Sequence, residues 1–219
     1  MPIKPLKTNF DKKYWDTTYK EPEIMDGIAN AKIHANYLQM LFGLQSIEIN
    51  SVIDLGFGYG NIFKETLNTF PIERSCAIEP SEYIFKEFAK DNFIPDHPST
   101  ILNQSIMDWC KKPPKDFINF DLAICTSVFQ YIKSKDLAII IPILSKRIKY
   151  LYLTVPTHHE LQRQVSELDF FDPYAIRRPK QFYTSLLTKH FTFISFRLLE
   201  SKTYFNVKNS NFSDLLYRF

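Results

Sequence analysis

Three of the five glycines in this 219-residue chain fall within one pentapeptide, Gly56 to Gly60, in the stretch DLGFGYGNI. The short apolar run INSVIDLG before them indicates a buried strand, and NIFKETLNTF after them has the apolar spacing of a helix. A glycine-rich turn from a strand into a helix lets backbone N–H groups approach a ligand, because no Cβ stands in the way. The sequence therefore predicts a ligand-binding turn here.

The alternation of short apolar strands with helical segments continues along the chain. The stretches SCAIEP, STILNQSIMDW, FINFDLAICTS and KYLYLTVPT are predicted strands. Between them, EYIFKEFAKD with Ser81 as its N-cap and KDLAIIIPILSK with Ser134 as its cap are predicted helices. Because strands and helices repeat at this spacing, we expect right-handed parallel crossovers and a doubly wound α/β sheet with helices on both faces.

The two ends of the chain depart from this alternation. Residues 1–20 are expected to form an irregular arm, and the apolar spacing from Gly27 to Phe42 predicts a helix that Gly43 stops. After Thr157, a helical stretch over 160–168 is followed by TFISFRLLES and the terminal SDLLYRF, which are expected to pair as edge strands. We expect one domain, 1–219, with an N-terminal lid (1–45), a cofactor core (50–157) and a substrate-side segment (158–219).

Composition excludes several classes of protein. The net charge of +3 is too small to indicate nucleic-acid binding, although positive charge is concentrated in the C-terminal third. The three cysteines have no CxxC spacing, so neither a disulfide framework nor a metal site is expected. The N-terminal stretch MPIKPLKTNFDKK has no apolar run, and the longest run elsewhere is too short to span a membrane. These features predict a soluble cytoplasmic protein without a membrane partner.

An acidic residue two positions before the first glycine distinguishes among ligand classes. A dinucleotide-binding GxGxxG motif would need a glycine where Asn61 stands, and the chain has no GK[ST] sequence of a P-loop. The carboxylate of Asp54 is a poor neighbour for a pyrophosphate and a good one for an ammonium group. A ligand with an α-amino group, a ribose and a positive centre fits both features, and S-adenosylmethionine (SAM) is such a ligand.

The stretch VIDLGFGYG resembles the first motif of class I, seven-stranded SAM-dependent methyltransferases, and the resemblance covers about residues 50–157. It implies a mostly parallel seven-stranded sheet with an antiparallel C-terminal edge, an N-terminal helical extension, S-adenosyl-L-methionine as cofactor and S-adenosyl-L-homocysteine (SAH) as product. It also implies that Asp54 positions the amino group of the cofactor and that Glu79 binds its ribose hydroxyls. The other cofactor contacts that it implies are Gly56, Gly58, Gly60, Pro80, Met107, Asp108, Trp109 and Thr126.

Methyl transfer needs positioning more than a catalytic triad, but an oxygen or nitrogen acceptor can require removal of a proton. His158 and His159 after the fifth predicted strand, and Tyr131 after the fourth, are the candidate bases. The candidate substrate contacts are Tyr14, Tyr19, His34, Tyr37 and Arg177. For these residues packing is the alternative, and the pair Arg177–Arg178 has the further alternative of pairing with Asp169 or Asp172.

The acceptor class follows by elimination. No (D/N)PP(Y/F) motif follows the fourth predicted strand, where CTSV stands, so methylation of exocyclic amines on nucleic acid or of glutamine is disfavoured. A small-molecule O or N acceptor remains. The alternatives are a non-catalytic SAM-binding or fold-only partner subunit, an RNA or protein methyltransferase, and an NAD-dependent oxidoreductase. The sequence makes no prediction of the acceptor's identity or of the oligomeric state.

Overall fold

The computed structural model describes residues 9–19, 21, 25–212 and 218. The strands are β1 (Ser51–Leu55), β2 (Arg74–Ile78), β3 (Ser99–Leu102), β4 (Phe120–Thr126), β5 (Ile148–Thr154), β6 (Phe191–Ser195) and β7 (Leu198–Ser201). The helices are α1 (Lys12–Thr18), α2 (Ala31–Leu44), α3 (Asn61–Thr69), α4 (Glu82–Lys90), α5 (Ile106–Lys111), α6 (Ser134–Ser145), α7 (His158–Leu168) and α8 (Lys180–Leu187).

The strands form a seven-stranded, mostly parallel sheet with antiparallel C-terminal strands, which confirms the fold class expected from the sequence. By their contacts the described residues divide into two compact units, one ending at Trp109 and one beginning at Cys110. The single domain expected from the sequence stays a prediction.

The first unit contains β3, β2 and β1, side by side in that order and parallel. Every residue of β1 is buried, which explains why its sequence does not alternate between apolar and polar residues, and the burial includes Ser51 and Asp54. The pairing register of β1 and β2 places Asp54 beside Ala77 and Leu55 beside Ile78. The strand ends that precede Gly56 and Glu79 are therefore neighbours.

The second unit contains β4, β5, β7 and β6 in that order. The strands β4 and β5 are parallel, whereas β7 runs antiparallel to both β5 and β6. The stretch TFISFRLLES holds most of β6 and all of β7, so the prediction of one strand there is wrong. No glycine or asparagine marks the turn between them in the sequence. The left-handed position of this turn is taken by Arg197, with φ of 64°. Of the terminal SDLLYRF, only Arg218 lies within the described residues.

Several predicted element ends are also corrected. The N-terminal arm contains α1, whose cap Asp11 accepts a hydrogen bond from the Tyr14 N–H at 2.9 Å. Gly43 lies inside α2, and Ser46 supplies the left-handed residue after the helix, with φ of 52°. Ser134 is the first residue of α6 rather than its cap. The stretch STILNQSIMDW contains β3 and the start of α5, and the predicted helix over 160–168 begins at His158.

The N-cap role predicted for Ser81 is confirmed, since its hydroxyl accepts a hydrogen bond from the Ile84 N–H at 3.3 Å. This cap starts α4 two residues after Glu79. The capping residue therefore also fixes how the chain leaves the end of β2.

The glycine turn leads from β1 into α3. Its three glycines all have positive φ, with +77° at Gly60, the cap of α3. A Cβ at Gly60 would lie only 2.2 Å from Cε2 of Phe88 in α4. Glycine is thus required at Gly60 both by the backbone conformation and by the close approach of α4.

A buried ion pair ties the chain near its C-terminus to β7. Glu200 is completely buried, and its Oε1 accepts hydrogen bonds from Nη2 of Arg218 at 2.6 Å and from Nε at 3.1 Å. Its Oε2 accepts a hydrogen bond from the Ser210 hydroxyl at 2.6 Å. The carboxylate of Glu200 therefore has partners on both oxygens, as burial of a charge requires.

We expect Gly60→Ala to lower the free energy of unfolding by about 2 kcal/mol or more, because it adds a left-handed alanine and a clash with Phe88. The control is Gly43→Ala, a helix position where a Cβ meets nothing within 4 Å. It should raise the free energy of unfolding by up to about 1 kcal/mol. Urea denaturation measures both, and equal effects of the two substitutions would contradict this account.

We expect Arg218→Ala to lower the free energy of unfolding by about 3 kcal/mol, because it leaves the buried Glu200 carboxylate without its charge partner. The double variant Arg218→Ala/Glu200→Gln should regain part of this loss, since it no longer buries a charge. Urea denaturation at neutral pH tests both variants. An unchanged Arg218→Ala protein would show that this pair does not stabilise the fold.

Candidate functional site

Two carboxylates lie buried where β1 and β2 end. Asp54 is the fourth residue of β1 and is 3% exposed, and Glu79 directly follows β2 and is 5% exposed. Parallel strands bring their carboxyl ends to the same edge of a sheet, where open α/β folds bind ligands. These two residues are 25 positions apart in the sequence, and the pairing of β1 with β2 brings their strand ends together.

Glu79 is held by backbone N–H groups from two different elements. Its Oε2 accepts a hydrogen bond from the N–H of Gly58 in the glycine turn at 3.1 Å. Its Oε1 accepts one from the N–H of Ser81 at the start of α4 at 2.8 Å. The Glu79 backbone is also held, because its carbonyl accepts a hydrogen bond from the Asn103 side chain at 2.8 Å. The carboxylate therefore has one defined position beside the glycine turn.

Asp54 differs from Glu79 in its partners. Within the part of the chain that the structure describes, no group donates a hydrogen bond to the Asp54 carboxylate, and neither carboxylate pairs with a lysine, arginine or histidine. Burial raises the pKa of Asp54 well above its usual range, and the charge of Glu79 raises it further. Burial also raises the pKa of Glu79 to about 7, although the Ser81 and Gly58 N–H groups act to lower it. Such a pair favours a cation or a proton.

The helix α1 packs on the glycine turn through Trp15. The Trp15 indole N–H donates a hydrogen bond to the Ser81 hydroxyl at 3.0 Å, and a Cβ at Gly58 would lie 3.8 Å from its ring. The rings of Tyr14 and Tyr19 pack against Trp15, with centroid distances of 5.7 and 4.8 Å. Tyr14 and Tyr19, predicted to contact substrate, therefore belong to an aromatic cluster centred on Trp15.

The residues predicted near the adenine lie on α5. Asp108 accepts a hydrogen bond from the Ser105 hydroxyl at 2.6 Å, so its carboxylate is held at the start of the helix. Met107 is half-buried, whereas Trp109 is completely buried and presents no accessible ring surface. Pro80 is half-buried between Glu79 and the cap of α4.

The histidine of α2 is held by hydrogen bonds to the turn that precedes this helix. His34 is 4% exposed, and its Nε2 lies 3.0 Å from Oδ1 of Asp26 and 3.1 Å from Oδ1 of Asn30. Tyr37, one turn further along α2, is half-buried. The local hydrogen bonds explain the position of His34 without a substrate.

The candidate bases lie in the second unit. The Tyr131 hydroxyl donates a hydrogen bond to Oδ2 of Asp172, whose Oδ1 accepts one from the Tyr174 N–H at 2.9 Å. His158 and His159 begin α7 with their ring centroids 3.8 Å apart, and His159 is exposed. Thr126, a predicted cofactor contact in this unit, ends β4 and is half-buried in register with Thr154 of β5.

The two arginines after α7 differ in environment. Arg178 is 5% exposed, and its guanidinium donates hydrogen bonds to the carbonyls of Ile132 at 2.7 Å and Phe129 at 3.3 Å. It thereby anchors the 3₁₀ turn that carries Tyr131, a role not among those considered from the sequence. Arg177 is exposed and lines a cavity of about 10 Å³, too small for more than a water. The other lining residues are Leu161, Gln164, Val165, Phe170, Phe171, Asp172 and Ala175.

Sequence reasoning did not include Trp15 and Ser81 among the site residues. The signal for Ser81 was present, because an N-cap residue stood directly after the EP of AIEPS. Nothing in the sequence linked Trp15 to Ser81, from which it is separated by 66 positions.

Residues 9–19, 21, 25–212 and 218 contain no group of three or more His, Cys, Asp or Glu side chains that could hold a metal ion. Among the helices of the described part of the chain, none has the length and apolarity to cross a membrane.

No protein-family model and no curated protein matches this chain. Solved structures do match it. A SAM-dependent methyltransferase from Clostridium acetobutylicum ATCC 824 is 14% identical with a TM-score of 0.58, over 78% of this chain and 85% of that one. The plantazolicin methyltransferase BpumL, in complex with a triazolic desmethylPZN analog and SAH, is 18% identical with a TM-score of 0.59, over 81% and 67%.

A third similar structure is the magnesium protoporphyrin IX methyltransferase ChlM from Synechocystis PCC 6803 with bound SAH. It is 13% identical with a TM-score of 0.55, over 86% of this chain and 92% of that one. At such identities the likeness concerns the fold, and it agrees with the seven-stranded sheet. The chain has the fold of the class I SAM-dependent methyltransferases.

Proposed function

We propose that this protein is a SAM-dependent methyltransferase that transfers a methyl group to an oxygen or nitrogen of a small-molecule acceptor. The observation that carries the proposal is the buried Asp54 carboxylate, which has no hydrogen-bond partner among the described residues and lies two positions before the first glycine of the turn. A buried charge in this position is costly unless a ligand supplies a cation. The methyltransferase fold and the SAH bound in two of the similar structures support the same ligand.

The residues present fit SAM. Asp54 would accept hydrogen bonds from its ammonium group, and the glycine turn would bring backbone N–H groups close to it without side chains in the way. Glu79 would accept the ribose hydroxyls, because each carboxylate oxygen has a second lone pair besides the one that binds Gly58 or Ser81. Met107 and Asp108 are proposed for the adenine, with Gly60, Pro80 and Thr126 in further contacts. Trp109, being completely buried, would support this site from the core.

When bound, SAM supplies an electrophilic methyl group on a positively charged sulfur. The protein's contribution is to orient the acceptor in line with that methyl group, to exclude water and to take a proton from the acceptor. Tyr131 is the first candidate for the proton, because its hydroxyl is hydrogen-bonded to Asp172 and can pass its own proton to that carboxylate as it receives another. His158 and His159 are the other candidates.

The acceptor contacts proposed from this geometry are few. Arg177 is exposed and suits an acceptor with an anionic group. Tyr14 and Tyr19 pack around Trp15 on the glycine turn and would therefore lie near the cofactor rather than the acceptor. Tyr37 remains a candidate, whereas His34 is not carried further because its hydrogen bonds are satisfied locally. All three cysteines are free and buried, which favours a reducing compartment such as the cytoplasm.

We expect purified protein to bind SAH and not NADH in calorimetric titration. Asp54→Asn and Glu79→Gln should each weaken SAH binding by about 30-fold or more, because each removes a buried charged acceptor. The control is Asp91→Asn, the same change at an exposed residue paired with Lys64, which should leave the affinity unchanged. Full-affinity SAH binding by both site variants would contradict the assignment. NADH binding would favour an oxidoreductase, and SAH binding without turnover in any acceptor screen would favour the non-catalytic alternative.

SAH affinity should rise with pH. The pKa of Glu79 is raised by burial to about 7, so at lower pH its carboxyl must lose a proton before it can accept hydrogen bonds from the ligand. The titration of Glu79 should therefore lower the affinity by up to about tenfold per pH unit below this value, and protonation of Asp54, whose pKa is also raised by burial, should add to the fall. Titrations in two buffers of different ionisation enthalpy should show proton release on binding near neutral pH. A constant affinity without proton release would contradict the raised pKa.

A further inference from the structure

The two N–H groups that hold the Glu79 carboxylate belong to Ser81, to which Trp15 is hydrogen-bonded, and to Gly58, in the turn on which the Trp15 ring packs. The donors are Gly58 and Ser81, at 3.1 and 2.8 Å from the two carboxylate oxygens. Trp15 reaches Ser81 through its indole N–H, and its ring packs on the glycine turn against Tyr59, the neighbour of Gly58, where a Cβ at Gly58 would lie 3.8 Å from the ring. One side chain of α1 therefore packs on both segments that support a carboxylate that it does not itself bind.

We propose that Trp15 is a positioning residue for Glu79, which it orients by holding the Ser81 and Gly58 N–H groups against the two carboxylate oxygens. The effect on Glu79 is a property of this chain alone, and its effect on cofactor binding rests on the proposed function. By this proposal α1 is part of the binding site, although the sequence places it in a separate arm.

The hydroxyl of Ser81 links Trp15 to the residue whose N–H group binds Oε1 of Glu79. It accepts a hydrogen bond from Trp15 at 3.0 Å and one from the Ile84 N–H at 3.3 Å, and it donates one to the Phe10 carbonyl at 2.6 Å. A hydroxyl has one proton to donate and two lone pairs, so all of its hydrogen-bonding capacity is used. Ser81 is completely buried, and this full set of partners determines the direction of its backbone N–H.

The ring of Trp15 packs on the turn that carries the other N–H group, which binds Oε2 of Glu79. Gly58 has φ of +54°, and the Trp15 ring packs against the face of the turn where a side chain would otherwise stand. The adjacent Tyr59 meets the same ring edge-on, with a centroid distance of 5.4 Å. Trp15 is only 8% exposed, so it has little freedom to leave the turn. The ring thereby keeps the Gly58 N–H directed at Glu79.

The consequence is electrostatic. The two N–H groups lower the pKa of Glu79 and thereby oppose the effect of its burial. The charged group facing Glu79 from β1 is Asp54, which is itself buried. The carboxylates on the neighbouring elements have other hydrogen-bond partners: Asp11 caps α1, Asp16 pairs with Lys12 in α1, Glu82 with Lys86 in α4, and Asp108 with Ser105 at α5. The two N–H groups are therefore what opposes the effect of burial on the pKa of Glu79, and their geometry decides how far they do so.

The test follows Glu79 directly in the ligand-free protein. Carboxyl ¹³C NMR of glutamate-labelled protein is recorded from about pH 5 to about pH 9, and the Glu79 signal is assigned by its loss in Glu79→Gln. Trp15→Phe keeps a ring on the turn and removes the indole N–H. We expect it to raise the titration midpoint of Glu79 by about 0.5 pH unit or more. The matched control is Thr17→Ala, which removes an exposed hydroxyl that bonds only within α1 and should leave the midpoint unchanged.

A midpoint in folded Trp15→Phe equal to that of the wild-type protein would overturn the proposal. A second measurement needs no variant, because the indole N–H resonance of Trp15 in the wild-type protein should titrate with the same midpoint as Glu79. An indole signal that does not change over this range would also overturn the proposal. Both results come from the ligand-free protein and do not depend on the cofactor.

Titration with SAH then separates this proposal from the proposed function. Trp15→Phe should weaken SAH binding about twofold at pH 7 and match the wild-type affinity near pH 9, where Glu79 is ionised in both proteins. An equal loss at both pH values would mean that Trp15 acts on the ligand by another route and would overturn the proposal. A wild-type protein that binds no SAH would overturn the proposed function, while the NMR midpoints would still decide the role of Trp15.

Discussion

The arrangement of the elements around the glycine turn depends on one carboxylate that two backbone N–H groups hold. Glu79 accepts hydrogen bonds from Gly58 and Ser81, so the end of β2, the glycine turn after β1 and the start of α4 all meet at a single side chain. Each donor has its direction for a separate reason, a left-handed backbone at Gly58 and a capped helix start at Ser81. A change in either element would therefore change the environment of the carboxylate, and α1 joins the arrangement through Trp15.

Two buried glutamates differ in how the protein compensates their charge. Glu200 has an arginine and a hydroxyl as partners and is completely buried, so its charge is compensated within the protein. Glu79 has only backbone N–H donors, and its neighbour Asp54 has no hydrogen-bond donor among the described residues. Buried polar groups are satisfied almost everywhere in folded proteins, so an uncompensated pair is expected where a ligand completes the site.

The fold class was predictable from local patterns, and the element ends were less so. Alternating apolar strands and helices dictate parallel crossovers, and Ser81 capped the helix as its sequence position indicated. Gly43 did not end α2, because its backbone stays helical and Ser46 takes the left-handed conformation instead. The β6–β7 turn was not predicted for a similar reason, since Arg197 adopts the left-handed conformation, which is typical of glycine or asparagine.

The sequence by itself determined the α/β fold class, the glycine turn and the acidic residues near the ends of the first two strands. These features depend on local chemistry, because glycine adopts such a turn most readily and mainly apolar runs form buried strands. Tertiary structure decided what each carboxylate touches. It placed Trp15 on Ser81, bound Arg178 to backbone carbonyls and held His34 within its own turn. Those contacts join residues from separate elements or are set by how each element packs, and side-chain partners of that kind have no signature in a single sequence.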